Sequence, residues 1–343
     1  VYQDGGLHNM LAGTGTAWVD CVSIGTPNGP ASLFHLNGPG KGSPGAVYVR
    51  TRALGPGLLV GAPGRGGTAY YDHTSQTPNI IMLDVEAQGV SSFYNYADRC
   101  IDEGGSLYIS GARFNDRAGV GARKGKPPAL PYGTFGGTIG PNRRIYMEDV
   151  LAYTGSLNGL DVGAEEDEYV FRNGTIVYRQ EGRVGALFSV APTVRARFEH
   201  CTFIIDTYGE NLSQPNLVTG PVKWGSVSTF TAAKGSLHFE KCVFVLEKAN
   251  INYYMHYPYS TAEFNVTAND CLFTEGFVNL PASGGHRVSN DIFAKPRSWR
   301  DGDLTLSPTS PARELDAGAR QKRLPVYRPQ AEKMAKDILG YLP

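Results

Sequence analysis

A template of apolar residues that recurs nine times, an excess of glycine and proline, and a short apolar segment after most copies of the template together predict the fold. It is all-β: a single-stranded right-handed parallel β-helix, a solenoid of about nine coils, followed by a short C-terminal helix. The expected division is a β-helix over 1–300 and a closing segment with a capping helix over 301–343.

The template is clearest around three cysteines. Apolar or small residues fall five and three positions before each Cys, and Phe falls two after it. This gives Ala196, Phe198, Cys201, Phe203; Leu237, Phe239, Cys242, Phe244; and Val266, Ala268, Cys271, Phe273. Upstream copies are Leu107, Ile109, Ala112, Phe114; Ile145, Met147, Val150, Ala152; and Tyr169, Phe171, Gly174, Ile176. Weaker ones are Ile80, Met82, Val85, Ala87; Val47, Val49, Arg52, Leu54; and Ala17, Val19, Val22, Ile24.

Side chains alternate every two residues along a strand, so a spacing of two, three, two marks two short strands meeting at a bend that holds one extra residue. The anchors stand 24 to 41 residues apart, and a fixed internal pattern with elastic gaps describes coils whose insertions loop outward. The segments SLFHL, LLVGA, SSFYNY, GLDVG, ALFSV, NLVTG, NYYMH and FVNL then supply a third strand per coil. Such strands stack about 4.8 Å apart. Cys201, Cys242 and Cys271 thus become one file of small buried thiols, which accounts for their spacing better than cross-links or metal ligation do. Asn173, His200, Lys241 and Asp270 each precede an anchor and sit at the bend, where polar side chains bond the turn backbone.

Composition agrees. The 343 residues are 41% hydrophobic and 19% charged, enough to bury a large core. The 43 glycines and 22 prolines suit strands joined by tight turns rather than helices. Lys+Arg and Asp+Glu both number 32, which excludes a global pull toward nucleic acid or membrane and leaves charged partners to local patches. No run approaches the roughly 18 apolar residues of a membrane span. The chain opens on Val1 and is read as a mature or trimmed product.

With these rungs in view, residues 15–293 resemble the right-handed parallel β-helix, pectate-lyase-like superfamily, whose repeats carry an apolar-x-apolar-x-Asn-Cys-x-Phe rung. The stretch DGDLTLSPTSPARELDAG, 301–318, resembles the closing segment of its secreted bacterial members. The resemblance implies a secreted protein but no particular reaction, because the superfold hosts lyases, hydrolases, epimerases, tailspikes and adhesins. The tail from Pro329 to about Leu339, with Met334, Ile338 and Leu342 on one side, reads as an amphipathic helix capping the last coil.

In such enzymes a sugar chain lies across the outer face of one sheet, expected here to be the strand after each anchor. Long insertions beside it are where chemistry is sought. The insertion 115–133 carries Arg117, Arg123, Lys124 and Lys126 with no acid beyond Asp116. Arg117 would bind a uronate, and Arg123, Lys124 or Lys126 would neutralise charge or act as the base of an elimination. The segment SLNGLDVGAEEDEY places Asp161 where polygalacturonase-type hydrolases hold a catalytic acid, although their paired acids are missing. Asp161, Glu165 and Asp167 would instead be ligands for Ca²⁺, the one cofactor that the resemblance implies. Tyr253, Tyr254 and Tyr257, with Trp224 on the far wall, would stack on sugar rings, and His256 among them would be an acid or base or a plain hydrogen-bonding residue of the site.

The expected function is therefore β-elimination of an acidic polysaccharide outside the cell. The rival is a non-catalytic adhesin, fibre subunit or tailspike-like rod, whose sides leave a homo-oligomer open. A glycoside hydrolase stands third.

Overall fold

The computed structural model describes residues 10–11, 16–25, 32–37, 44–55, 68–73, 77–90, 92–96, 101–114, 135–137, 144–154, 157–160, 168–178, 186–190, 195–206, 216–219, 236–247, 253–256, 265–278, 280, 284–320 and 323–340. The chain is a parallel β-helix. A first sheet stacks nine strands in chain order, from Thr16–Val19 to Asn265–Asn269, one per coil. A second sheet of ten runs from Val22–Ile24 to Arg287–Val288. The third face comprises two sheets of five, from Met10–Leu11 to Phe135–Gly137 and from Leu157–Leu160 to Phe277–Val278.

The expected rungs fall into register from the third coil onward. Ile80, Leu107, Ile145, Tyr169, Ala196, Leu237 and Val266 are successive partners on the first sheet. Their aromatic neighbours stack at the strand spacing: Phe171, Phe198 and Phe239 at 4.8 and 5.0 Å, and Phe203, Phe244 and Phe273 at 5.0 and 4.6 Å. Burying a Phe fully stabilises by about 1.5–3 kcal/mol, so these two columns hold much of the rod's C-terminal half together.

In the first two coils the expected template is one residue out. Ala46 and Tyr48 pair with Ile80 and Met82, so the inward set of the second coil is Ala46, Tyr48, Thr51, Ala53. In the first coil the anchor is Cys21, not Val22, which stands 40% exposed. The cause is visible in the string Ala46-Val47-Tyr48-Val49, all four buried, which carries no alternation from which to read parity. Cys21 thereby joins the file of Cys201, Cys242 and Cys271. All four Sγ atoms donate to the carbonyl two residues back, at 3.2–3.5 Å, and all four thiols are free.

The extra residue at each bend is a left-handed one. Asp20, Arg50, Asp84, Asp149, Asn173, His200, Lys241 and Asp270 have φ between 48° and 55°, and Gly111 completes the file at 76°. Asn, Asp, His and Gly tolerate this conformation best. The backbone ladder passes through the bend without a break, as when Arg52 N–H reaches the Cys21 carbonyl and Glu86 N–H the Thr51 carbonyl.

The C-terminal segment does not seal the last coil. It returns along the outside of the rod. Ile292, Trp299, Ala312 and Ala317 pack on Val177, Ile204, Val243, Val245 and Leu272 of the second sheet, with a one-turn helix α1, Pro311–Glu314, between them. The chain then follows the bends in reverse order. Gly318 N–H donates to the Lys241 carbonyl, Asn173 exchanges two hydrogen bonds with the Arg320 backbone, and the Arg328 guanidinium grips both Asp84 oxygens at 2.7 Å.

Helix α2, Arg328–Leu339, lies along the side of the first sheet rather than over the end. Its Ala331 and Ala335, with Met334, Ile338 and Leu339, cover Val47, Val49, Ile81, Leu83 and Tyr108. This is why the outer face of those coils is apolar.

Candidate functional site

Helix α2 covers only the N-terminal part of the first sheet. Beyond Tyr327 the outer face turns polar, as the strand patterns show: Arg195–Glu199 and Ser236–Glu240 alternate buried Ala196, Phe198, Leu237 and Phe239 with outward polar residues. A groove of about 650 Å³ opens on this face, lined by Arg144, Glu168, Arg195, Arg197, Ser236 and His238. The strand register orders them. One row, at the first residue of each strand, reads Arg144, Glu168, Arg195, Ser236; the next reads Tyr146, Val170, Arg197, His238, Thr267.

The groove is fixed by its own hydrogen bonds. Tyr146 Oη donates to Glu168 at 3.3 Å, and Arg197 is held by Glu199 at 2.8 Å and by the Tyr327 hydroxyl. Tyr108, Tyr146 and Tyr327 stack at 4.9 and 4.8 Å and pack with α2. His238 Nδ1 lies 2.5 Å from Thr267 Oγ1, and its Nε2 lies 3.5 Å from Glu240. A carboxylate beside Nε2 favours the proton on that nitrogen, leaving Nδ1 to accept from the threonine. Among the described residues no ion pair joins Arg144 or Arg195 to a carboxylate.

Two pKa shifts bear on what these groups can do. Burial works against the Arg197 cation, but Glu199, the Tyr327 hydrogen bond and Glu168 outweigh it, so the guanidinium is held more firmly protonated than usual. Burial first, then Glu168 and Tyr108, push the Tyr146 phenol up to about 12, which keeps it a donor.

The expected cleft is the outer face of the third strand of each coil, the face that carries Leu157–Leu160 and Tyr253–His256. The groove lies on the first sheet instead, while the second sheet is covered over the C-terminal coils by the returning segment. Arg117, Arg123, Lys124, Lys126, Asp161, Glu165, Asp167, Trp224 and Tyr257 lie outside the described residues. In chain order, Asp161, Glu165 and Asp167 fall between the third-face strand Leu157–Leu160 and Glu168, the groove's own carboxylate. Trp224 likewise falls between Asn216–Thr219 and Ser236. The cationic insertion instead joins the second sheet to the third face, between Phe114 and Phe135. Tyr253, Tyr254 and His256 stand on a third-face strand, Tyr253–His256, paired to Asn216–Thr219 and Phe277–Val278, and so belong to a different sheet from the groove.

The groove residues themselves were missed by the sequence reading. Their signal is present as the outward positions of the template, where Arg144, Glu168 and Arg195 open successive first-sheet strands and Arg197 follows Arg195 two residues on.

Among the described residues no cluster of His, Cys, Asp and Glu is placed to hold a metal ion, and no helix is long and apolar enough to cross a membrane. No family model, curated protein or solved structure matches the chain. The fold is a parallel β-helix, nine strands deep on its first sheet among the described residues, with a groove lined by three arginines on that sheet.

Proposed function

We propose that the chain is a secreted member of the pectate-lyase-like superfamily that cleaves a uronic-acid-containing polysaccharide by β-elimination, with the first-sheet groove holding the uronates. The observation that carries this reading is charge: Arg144, Arg195 and Arg197 line the groove with Glu168 as its lining carboxylate. Although Glu199 pairs with Arg197, no ion pair among the described residues joins Arg144 or Arg195 to a carboxylate. Arginine forks match carboxylates in geometry and charge, and neutralising a uronate acidifies the proton on the adjacent ring carbon. In the elimination a base takes that proton, a carbon–carbon double bond forms, and the glycosidic oxygen leaves and gains a proton.

The firmly protonated Arg197 suits neutralisation and not the base. Lys124, Lys126 and Arg123 are the residues nominated for that role, and Asp161, Glu165 and Asp167 those for Ca²⁺, which would help neutralise the uronate. The competing reading, a non-catalytic carbohydrate-binding rod, draws on one feature. Both ring nitrogens of His238 are engaged, which makes it a fixed hydrogen-bonding group rather than a poised base.

The test is incubation with pectate, alginate and glycosaminoglycans, with and without EDTA, followed by the ultraviolet absorbance of the unsaturated uronate. Wild type is expected to generate it and the Arg195→Gln/Arg197→Gln double variant to lose it. Binding without absorbance would favour the rod; neither binding nor absorbance on any acidic polymer would refute both.

A further inference from the structure

The order of charges along the groove says more than their sum. The row at the strand starts presents Arg144, Glu168 and Arg195 in consecutive coils, each on the outer face and each lining the groove. Adjacent coils stand about 4.8 Å apart, so the two arginines are about 10 Å apart with a carboxylate midway. Ten ångströms is the rise of a disaccharide in an extended sugar chain. Glu168 is held in this row by the Tyr146 hydroxyl. Behind Arg195, Arg197 lies two residues along the same strand, giving that end of the row a second guanidinium.

Resting on the proposed function above, we infer that the groove selects a polysaccharide in which a uronate alternates with an uncharged sugar, rather than a homopolymer of uronates. A chain lying along the rod axis sets one uronate on Arg144 and the next on Arg195. The sugar between them faces Glu168 and is accepted if it offers hydroxyl or amide donors there. A carboxylate on that sugar would face Glu168 directly. Like charges in contact reject a partner more sharply than a lost attraction does, so Glu168 sets the repeat while the arginines set the affinity.

The experiment measures calorimetric affinities in Ca²⁺-free buffer for two hexasaccharides of equal length. One alternates uronate with N-acetylhexosamine, and the other is uronate throughout. The wild-type protein is expected to prefer the alternating chain at least tenfold. Glu168→Gln, a surface change with no buried partner lost, is expected to improve homopolymer binding and remove most of that preference. Arg195→Gln is expected to weaken both ligands about equally.

Equal or tighter binding of the homopolymer by wild type, or a preference left unchanged by Glu168→Gln, overturns the inference and leaves the acidic-polysaccharide reading standing. Failure of both hexasaccharides to bind, in this buffer and again with Ca²⁺ restored, overturns the two together.

Discussion

Glu148 is one of the points at which the returning segment is fastened to the rod, and its removal gives the sharpest test of that arrangement. The side chain is 1% exposed and accepts the backbone N–H groups of Val326, Tyr327 and Arg328 at 2.6, 2.9 and 3.0 Å, with Arg172 Nε 3.7 Å away. These three N–H groups are the unsatisfied donors at the entry to helix α2, so the carboxylate both caps the helix and answers its dipole.

Glu148→Gln keeps one acceptor but loses the charge, and hydrogen bonds to charged groups are worth roughly twice neutral ones, so about 2 kcal/mol is expected. Glu148→Ala strips the acceptor and leaves Arg172 uncompensated; breaking a buried charged contact costs about 3–5 kcal/mol, taken as about 4. At about 1.4 kcal/mol per tenfold, amide exchange in 328–339 should quicken roughly 30-fold for Gln and several hundredfold for Ala.

The strands Arg195–Glu199 and Ser236–Glu240 should keep their protection, because the segment opens alone. Unchanged exchange in the helix of Glu148→Ala would refute the reasoning. So would equal loss in the helix and in those strands, since the segment would then not be a separate unit.

Other outcomes follow from the bend and the core. A Cβ on Gly111 would stand 2.3 Å from Asp84 Oδ1, so Gly111→Ala should cost about 2 kcal/mol in denaturant unfolding and clearly less when Asp84 is already Ala. Cys201, Cys242 and Cys271 are fully buried and free, and burial raises the Cys242 thiol well above its ordinary value. A thiol reagent should therefore label them only after unfolding, and a reductant should leave the melting temperature unchanged.

Stability should also fall in acid. Burial, then the Arg323 charge, lowers the His200 pKa below 6.5. As pH drops below about 6.5 the unfolded chain therefore takes the proton first, and the fold loses stability. Burial opposes the Asp316 carboxylate, but Arg323, Arg320 and His200 outweigh it and hold its pKa below 3.8. Its contribution is therefore present above about 3.8 and is lost as pH falls through the lower folded value. His200→Asn should flatten the stability profile between pH 7 and 5 while leaving the more acidic loss.

Much of the coil architecture could be read from residue order wherever the outer face is polar. "ARFEHCTF" alternates because Arg197 and Glu199 meet solvent while Ala196 and Phe198 do not. Where α2 covers the sheet, Val47, Val49, Ile81 and Leu83 are as apolar as the inward residues, and parity vanished from the sequence. The path of the returning segment was equally hidden. Three of its fastenings, Glu148, Asn173 and Asp84, stand at least 140 residues from their partners, and no local pattern announces such contacts. The groove followed from that path, because it is the polar part of the first sheet that the segment leaves open.

The most direct test of the account is a crystal structure of the protein with an alternating uronate hexasaccharide bound. Sugar density is expected along the row from Arg144 to Ser236, with carboxylates on Arg144 and Arg195. Density on the third face beside the strand Tyr253–His256, with the first-sheet groove holding only solvent, would contradict it.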